Sequence, residues 1–130
     1  VFSAWSSAEA KLRWFFCEGS WRVLEHRFDF RVGGRELLSV APPGGAPHVM
    51  DALYHDIVES CRIVYGYDMY IGDARISVSL ATIELEPMGR STRLTFTEQG
   101  VFLDGLATPA EREEGTRVGL ENLATMLAGS

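Results

Sequence analysis

Lysine is almost missing from this chain. Of 12 basic residues, Lys11 is the only lysine and the rest are arginine. Against them stand 18 acidic residues, so the formal net charge is −6. No run of Lys or Arg gathers the positive charge into one patch. A nucleic-acid partner needs a basic face to meet phosphates, and an anionic lipid surface needs the same; neither nucleic acid nor membrane is expected as a partner. No segment approaches the ~20 apolar residues of a membrane span. Cysteine is scarce. Cys17 and Cys61 form no CxxC pair and have no His at ligand spacing, which reads as two reduced thiols in a cytoplasmic protein, with nothing to support a disulfide. HExxH, GxSxG, P-loop and GxGxxG patterns are all absent. No metal, no cofactor and no motif-defined catalytic residue is therefore expected.

What is present is a chain of 130 residues, 46% hydrophobic and 23% charged, the size and composition of one folded domain. Such a domain buries about two-thirds of the surface its unfolded chain exposes. It opens on "VFSAWSSAEAKLRWFF", where apolar and aromatic residues crowd together. Val1 and Trp5 are four apart and would share a helix face. Ser6-Ser7-Ala8-Glu9 reads as a capping box with Ser6 as N-cap, starting a second helix. Ala8, Leu12 and Phe15 follow helical steps on it, and Glu18-Gly19-Ser20 would end it. Glu9, Lys11 and Arg13 interrupt the apolar run, so it is no signal-peptide core. Packing is the expected role of Trp5, Leu12, Trp14 and Phe15.

From Trp21 the period becomes two. Leu24, His26, Phe28, Phe30 and Val32 alternate with Val23, Glu25, Arg27, Asp29 and Arg31, as in a half-buried strand. Gly33-Gly34 would turn a tight hairpin into Arg35–Val40, and Pro42–Pro47 is a loop by composition. A meander follows: Val49–Glu59, Arg62–Ile71, Arg75–Glu86 and Ser91–Glu98, with turns at Gly72-Asp73 and Pro87-Met88-Gly89. Apolar residues fall on even positions at Ile76, Val78 and Leu80, then on odd ones at Ile83 and Leu85. A strand cannot change faces without an extra residue, which predicts a bulge or sharp bend near Ala81-Thr82. Thr108-Pro109-Ala110-Glu111 then caps a long closing helix. Its stripe is Leu120, Leu123, Met126 and Leu127, continued by Thr116 and Gly119. The order of two short helices, about six antiparallel strands and one long helix is α+β.

Four stretches in this order resemble the START-like (SRPBCC) helix-grip superfamily, and within it the family of heat-shock-protein ATPase activator homologues, whose bacterial members are often labelled polyketide-cyclase-like. They are "VFSAW" followed by "RWFF", the hairpin "FDFRVGGRE", the strand pair "SLATIELEPMGRSTRLTFTEQG" and the helix "EREEGTRVGLENLATML". The resemblance implies a single domain over residues 1–130: a curved antiparallel sheet gripping the C-terminal helix, with a cavity between. The family usually begins with a strand ahead of the first helix; here that strand would precede Val1 or be missing.

The candidate site follows from this frame and from the alternation of "CRIVYGYDMYIG". Cys61, Ile63, Tyr65, Tyr67, Met69 and Ile71 share one face, combining apolar bodies with phenolic hydroxyls, as small-molecule pockets do. Gly115 and Gly119 each cost about 1 kcal/mol of helix stability relative to Ala. Either the helix packs closely there or it leaves space. The expected cavity lining is Trp14, Phe15, Tyr65, Tyr67, Met69, Phe96, Gly115 and Gly119. His26 lies on the apolar register, as a hydrogen-bonded histidine at the core edge or a polar anchor in the cavity. His55 and Asp56 would face opposite ways, which disfavours a metal pair. The leading expectation is a protein binding a small apolar or amphipathic molecule. A cyclase- or hydrolase-like enzyme and a chaperone-activating module are the alternatives. A homodimer stays open, as does a chaperone partner, the latter by family analogy alone.

Overall fold

The structure, a computed structural model, describes residues 1–15 and 20–128. Two short helices, α1 (Phe2–Ser6) and α2 (Ala8–Phe15), precede six strands: β1 (Arg22–Phe28), β2 (Arg35–Ala41), β3 (His48–Val58), β4 (Arg62–Ile71), β5 (Ala74–Met88) and β6 (Ser91–Phe102). Helix α3 (Pro109–Ala128) closes the chain. The strands form one antiparallel sheet in the order β1-β2-β3-β4-β5-β6. This is the α+β helix-grip arrangement that the period change from two to 3.6 residues foretells.

Several local expectations are corrected. Val1 is the N-cap of α1 and 36% exposed, so it does not share the buried face of Trp5. The cap of α2 is Ser7, whose Oγ accepts from the Ala10 N–H at 3.2 Å; Ser6 instead donates back to the Ser3 carbonyl. The S-x-x-E box therefore does not form, because α1 runs one residue further than the motif allows. The proposed end at Glu18 and Gly19 and the thiol of Cys17 lie outside the described residues, while Cys61 is free and exposed.

The Gly33-Gly34 turn is wider than a two-residue hairpin. Strand β1 stops at Phe28, and the Asp29 N–H reaches the Arg35 carbonyl at 2.9 Å. Only Gly33 has positive φ, at 83°. Gly34 is needed for another reason: a Cβ there would sit 2.1 Å from the Asp29 carbonyl oxygen. The turn then docks on β3 through Gly33 N–H to Tyr54 O (2.8 Å) and Tyr54 N–H to Gly34 O (3.0 Å). Further along, Pro87 and Met88 belong to β5, and β6 runs on to Phe102. Strand β1 is irregular between Val23 and Glu25, which leaves Leu24 45% exposed.

The bulge of β5 is not at Ala81-Thr82. Met69 pairs with Ser77 and Tyr70 with Arg75, so Ile76 is the extra residue. Past it the inward side chains are Ser77, Ser79, Ala81, Ile83 and Leu85, while Val78 and Leu80 are 39% and 47% exposed. The strand buries serines and exposes aliphatics over two repeats, the reverse of the usual rule.

The pairing aligns side chains in rows on the inner face. Leu38, Met50, Met69 and Ser77 form one row; Glu36, Ala52, Tyr67 and Ser79 the next; Tyr54, Tyr65, Ala81 and Glu98 the third. Helices α1 and α2 cover the β1–β3 half. Trp5 and Trp14 meet edge to face at 4.5 Å, and Trp14 Nε1 donates to the Ala4 carbonyl at 2.9 Å. Of the α3 side chains only Leu123 is fully buried. Among the described residues no helix is long and apolar enough to cross a membrane.

Candidate functional site

Helix α3 is capped as its sequence promises. Thr108 Oγ1 accepts from the Glu111 N–H at 3.1 Å, and Pro109 takes the first helical position, where its missing N–H costs nothing. Twenty residues at about 1.5 Å each give a rod of roughly 30 Å laid over the sheet. Near its midpoint Leu120 packs against the core, but the neighbouring glycines do not. A Cβ built on Gly115 or Gly119 would meet no atom within 4 Å. Neither glycine is packed closely on the sheet: Gly115 is exposed and Gly119 half-buried.

Beneath them lies a cavity of about 240 Å³, partly open to the outside. Its floor is β4 and β6, with Tyr65, Tyr67, Met69 and Phe96; Trp14 and Phe15 of α2 form a side wall; Gly115 and Gly119 lie on the roof. All eight residues named from the sequence thus come together around one space. Sequence reasoning did not name Trp5, Leu38, Val40, His48 and Met50, which complete the apolar walls, or Glu98, Glu111 and Arg112 at the polar end. Burial lowers the His48 pKa, which favours its neutral form.

Two polar clusters flank the space. The first joins Arg112 to the sheet. Its guanidinium donates to Ser77 Oγ (2.7 Å), Tyr67 Oη (3.0 Å) and Ser79 Oγ (3.3 Å), and lies 3.5 Å from Glu98 Oε2. Tyr67 in turn donates to Glu98 Oε1 at 2.6 Å. This cluster explains the inward serines of β5: the rule of apolar residues inside yields to a guanidinium that needs acceptors. Burial raises the Tyr67 pKa; Arg112 opposes the rise and Glu98 adds to it.

The second cluster lies under α2 and was not foreseen. Lys11 Nζ reaches Glu36 Oε1 at 2.5 Å with both side chains almost wholly buried. Tyr54 donates to the same oxygen at 2.7 Å, and His26 Nε2 lies 2.9 Å from Glu36 Oε2. His26 is therefore the hydrogen-bonded core-edge histidine and not a cavity anchor. The Lys11 ammonium is also ringed by aromatics, 4.8 Å from the Phe15 centroid, 5.5 Å from Tyr65 and 5.8 Å from Trp5. Burial pushes the Glu36 carboxyl up, but the Lys11 charge and hydrogen bonds from His26, Lys11 and Tyr54 outweigh it and bring it to about 2. A lysine on an amphipathic helix ordinarily points to water; its being the only one in the chain was the one available signal.

Elsewhere, His55 is the irregular residue between Tyr54 and Asp56 on β3, and Asp56 pairs with Arg62 at 2.5 Å. Among the described residues no three His, Cys, Asp or Glu side chains gather as a metal site.

With the cavity, the gripping sheet and the closing helix in place, the relatives are informative. A family model described as Activator of Hsp90 ATPase homolog 1-like protein matches residues 1–129. The chain belongs to this family. Within the activator-homologue fold it is similar to an uncharacterised protein from Rhizobium leguminosarum, at 47% identity and TM-score 0.93, covering 99% of this chain and 85% of that one. It is similar to the Mll3558 protein from Rhizobium loti, at 45% identity and TM-score 0.88, over 95% and 84% of the two chains. Protein CV1439 from Chromobacterium violaceum follows the same course at 26% identity and TM-score 0.77, over 96% and 85%. No curated protein matches this activator-homologue chain.

Proposed function

We propose that this activator-homologue domain binds a small apolar or amphipathic molecule in the space between its sheet and α3. The observation that carries the reading is the open space beside half-buried Gly119, with exposed Gly115 at its mouth. A 20-residue helix that carries two glycines at the pocket, Gly119 half-buried and Gly115 exposed at its mouth, gives up about 1 kcal/mol of propensity at each without gaining contact. Holding space open for a guest accounts for that loss. The wall chemistry agrees, being mainly aromatic and aliphatic with polar groups confined to one end. An engineered cavity of about 150 Å³ is known to hold benzene; scaled by volume, the space here suits a guest of about ten heavy atoms.

Binding is favoured over catalysis because both polar clusters satisfy themselves. Glu36 is held by Lys11, His26 and Tyr54, and Glu98 by Tyr67 and Arg112. Neither carboxylate is free to serve as a base without dismantling its network.

Native mass spectrometry of protein isolated from its own host tests the proposal. The expected result is an adduct of small-molecule mass that is lost in Gly119→Leu, whose side chain would occupy the gap. A bare protein mass, together with no saturable site for an apolar fluorescent probe, would overturn the reading.

A further inference from the structure

Three tyrosines stand together on the inner face. Tyr65 lies between the other two, its ring centroid 5.8 Å from Tyr54 and 5.7 Å from Tyr67. The outer pair are spoken for: Tyr54 donates to Glu36 and Tyr67 to Glu98. The middle one is not. Tyr65 is 2% exposed and lines the cavity, yet among the described residues its hydroxyl has no hydrogen-bond partner. Trp5 Nε1, on another residue of the same cavity wall, is buried and also lacks an acceptor. Trp5 Nε1 is an exception to the rule that buried polar groups are paired, whereas the Tyr65 hydroxyl is not sealed off but opens onto the cavity, where a guest can reach it. Burial, with Tyr67, Glu36 and Glu98 alongside, raises the Tyr65 pKa well above the ordinary phenol value, so the hydroxyl keeps its proton and remains a donor.

At the polar end Glu111 accepts from Thr108 Oγ1, and Arg112 is matched against Glu98. A charged guest would have to compete with that pair. On the mainly apolar walls two donors, the Tyr65 O–H and the Trp5 Nε1–H, are without an acceptor among the described residues. We infer that the guest is a neutral, mainly hydrocarbon molecule carrying a carbonyl-type oxygen, and that Tyr65 donates to that oxygen and sets its orientation. This rests on the cavity reading above and names the chemical class that the cavity selects.

A matched pair of probes tests it. 4′-Methylacetophenone and α,4-dimethylstyrene have the same shape, with C=O in one replaced by C=CH₂ in the other. Affinities of both are measured by NMR titration for the wild type and for Tyr65→Phe. The wild type should prefer the ketone by about five- to tenfold, the worth of one buried hydrogen bond. Tyr65→Phe should abolish that preference while still binding the hydrocarbon. The empty Tyr65→Phe protein should also keep its Tm, since no internal hydrogen bond is lost, whereas Tyr54→Phe and Tyr67→Phe should each lower it. If both probes bind and the ketone preference survives in Tyr65→Phe, the role of Tyr65 is overturned and the cavity reading stands. If neither probe binds the wild type, the cavity reading falls and this inference with it.

Discussion

Lys11 of α2 and Glu36 of β2 form an ion pair with Nζ and Oε1 2.5 Å apart and side chains only 2% and 1% exposed. The pair pins the helical cover to the sheet beside the cavity. Removing one member of such a pair strands a charge and costs about 3–5 kcal/mol, while replacing both can be close to neutral. Lys11→Met and Glu36→Gln should each lower the urea midpoint strongly. The double variant should lose much less than their sum, a coupling that a double-mutant cycle measures. Additive losses would deny the pair its pinning role.

The same carboxylate fixes an acid limit. Its pKa falls from 4.5 unfolded to about 2 folded. A group lowered on folding stabilises the protein above its unfolded pKa and loses that contribution as pH drops toward the folded one. Stability should therefore fall between about pH 4.5 and pH 2, with this group contributing on the order of 3 kcal/mol. Urea denaturation across that range should show a gentler slope in Glu36→Gln.

Gly119→Ala should stabilise the empty protein by about 1 kcal/mol. Its Cβ would enter open space, so only the gain in helix propensity remains. Differential scanning calorimetry should find Tm a few degrees higher, by roughly the shift expected for that energy. A lower Tm would mean the helix sits closer to the sheet than described.

The two turn glycines should behave differently. Gly33→Ala meets no atom but keeps a φ of 83°, a strain of about 1–3 kcal/mol. Gly34→Ala would drive its Cβ to 2.1 Å from the Asp29 carbonyl oxygen and so must deform the backbone. It should be the more damaging, at about 3 kcal/mol or above, and should also disturb Tyr54, whose N–H bonds to the Gly34 carbonyl. Chemical denaturation of the two variants, with Tyr54 followed by NMR, separates them.

Much of the sheet is legible in the sequence because strand period and turn residues are local signals. The face of β4 that carries Tyr65, Tyr67 and Met69 follows from alternation alone. The polar clusters are not local. Lys11 meets a partner 25 residues away, and Arg112 meets serines 33 and 35 residues earlier. On a helix each reads as a solvated charge until the sheet is in place. Ser77 and Ser79 mislead for a related reason. Hydrophobicity ranks Val78 and Leu80 as the inward pair, and only the distant guanidinium reverses the order. That reversal also displaced the predicted bulge from Ile76 to Ala81-Thr82. Gly33 and Gly34 look identical in sequence, since nothing local distinguishes a need for positive φ from a need for close approach.

Helix α3 is fastened to the sheet by Arg112 near its start and packed by Leu123 near its end, where Asn122 reaches the Trp14 carbonyl at 3.5 Å. Between these points it is a beam touched by Leu120, with open space left beside Gly119. Widening that space bends the beam and breaks neither support, and helices bend gently at little cost. In the proposed binding role, the space beneath would be compliant, swelling at mid-span for a bulkier guest and relaxing when it leaves. Under that proposal, tolerance of guest size would become a property of helix stiffness, set by residues that need never touch the guest.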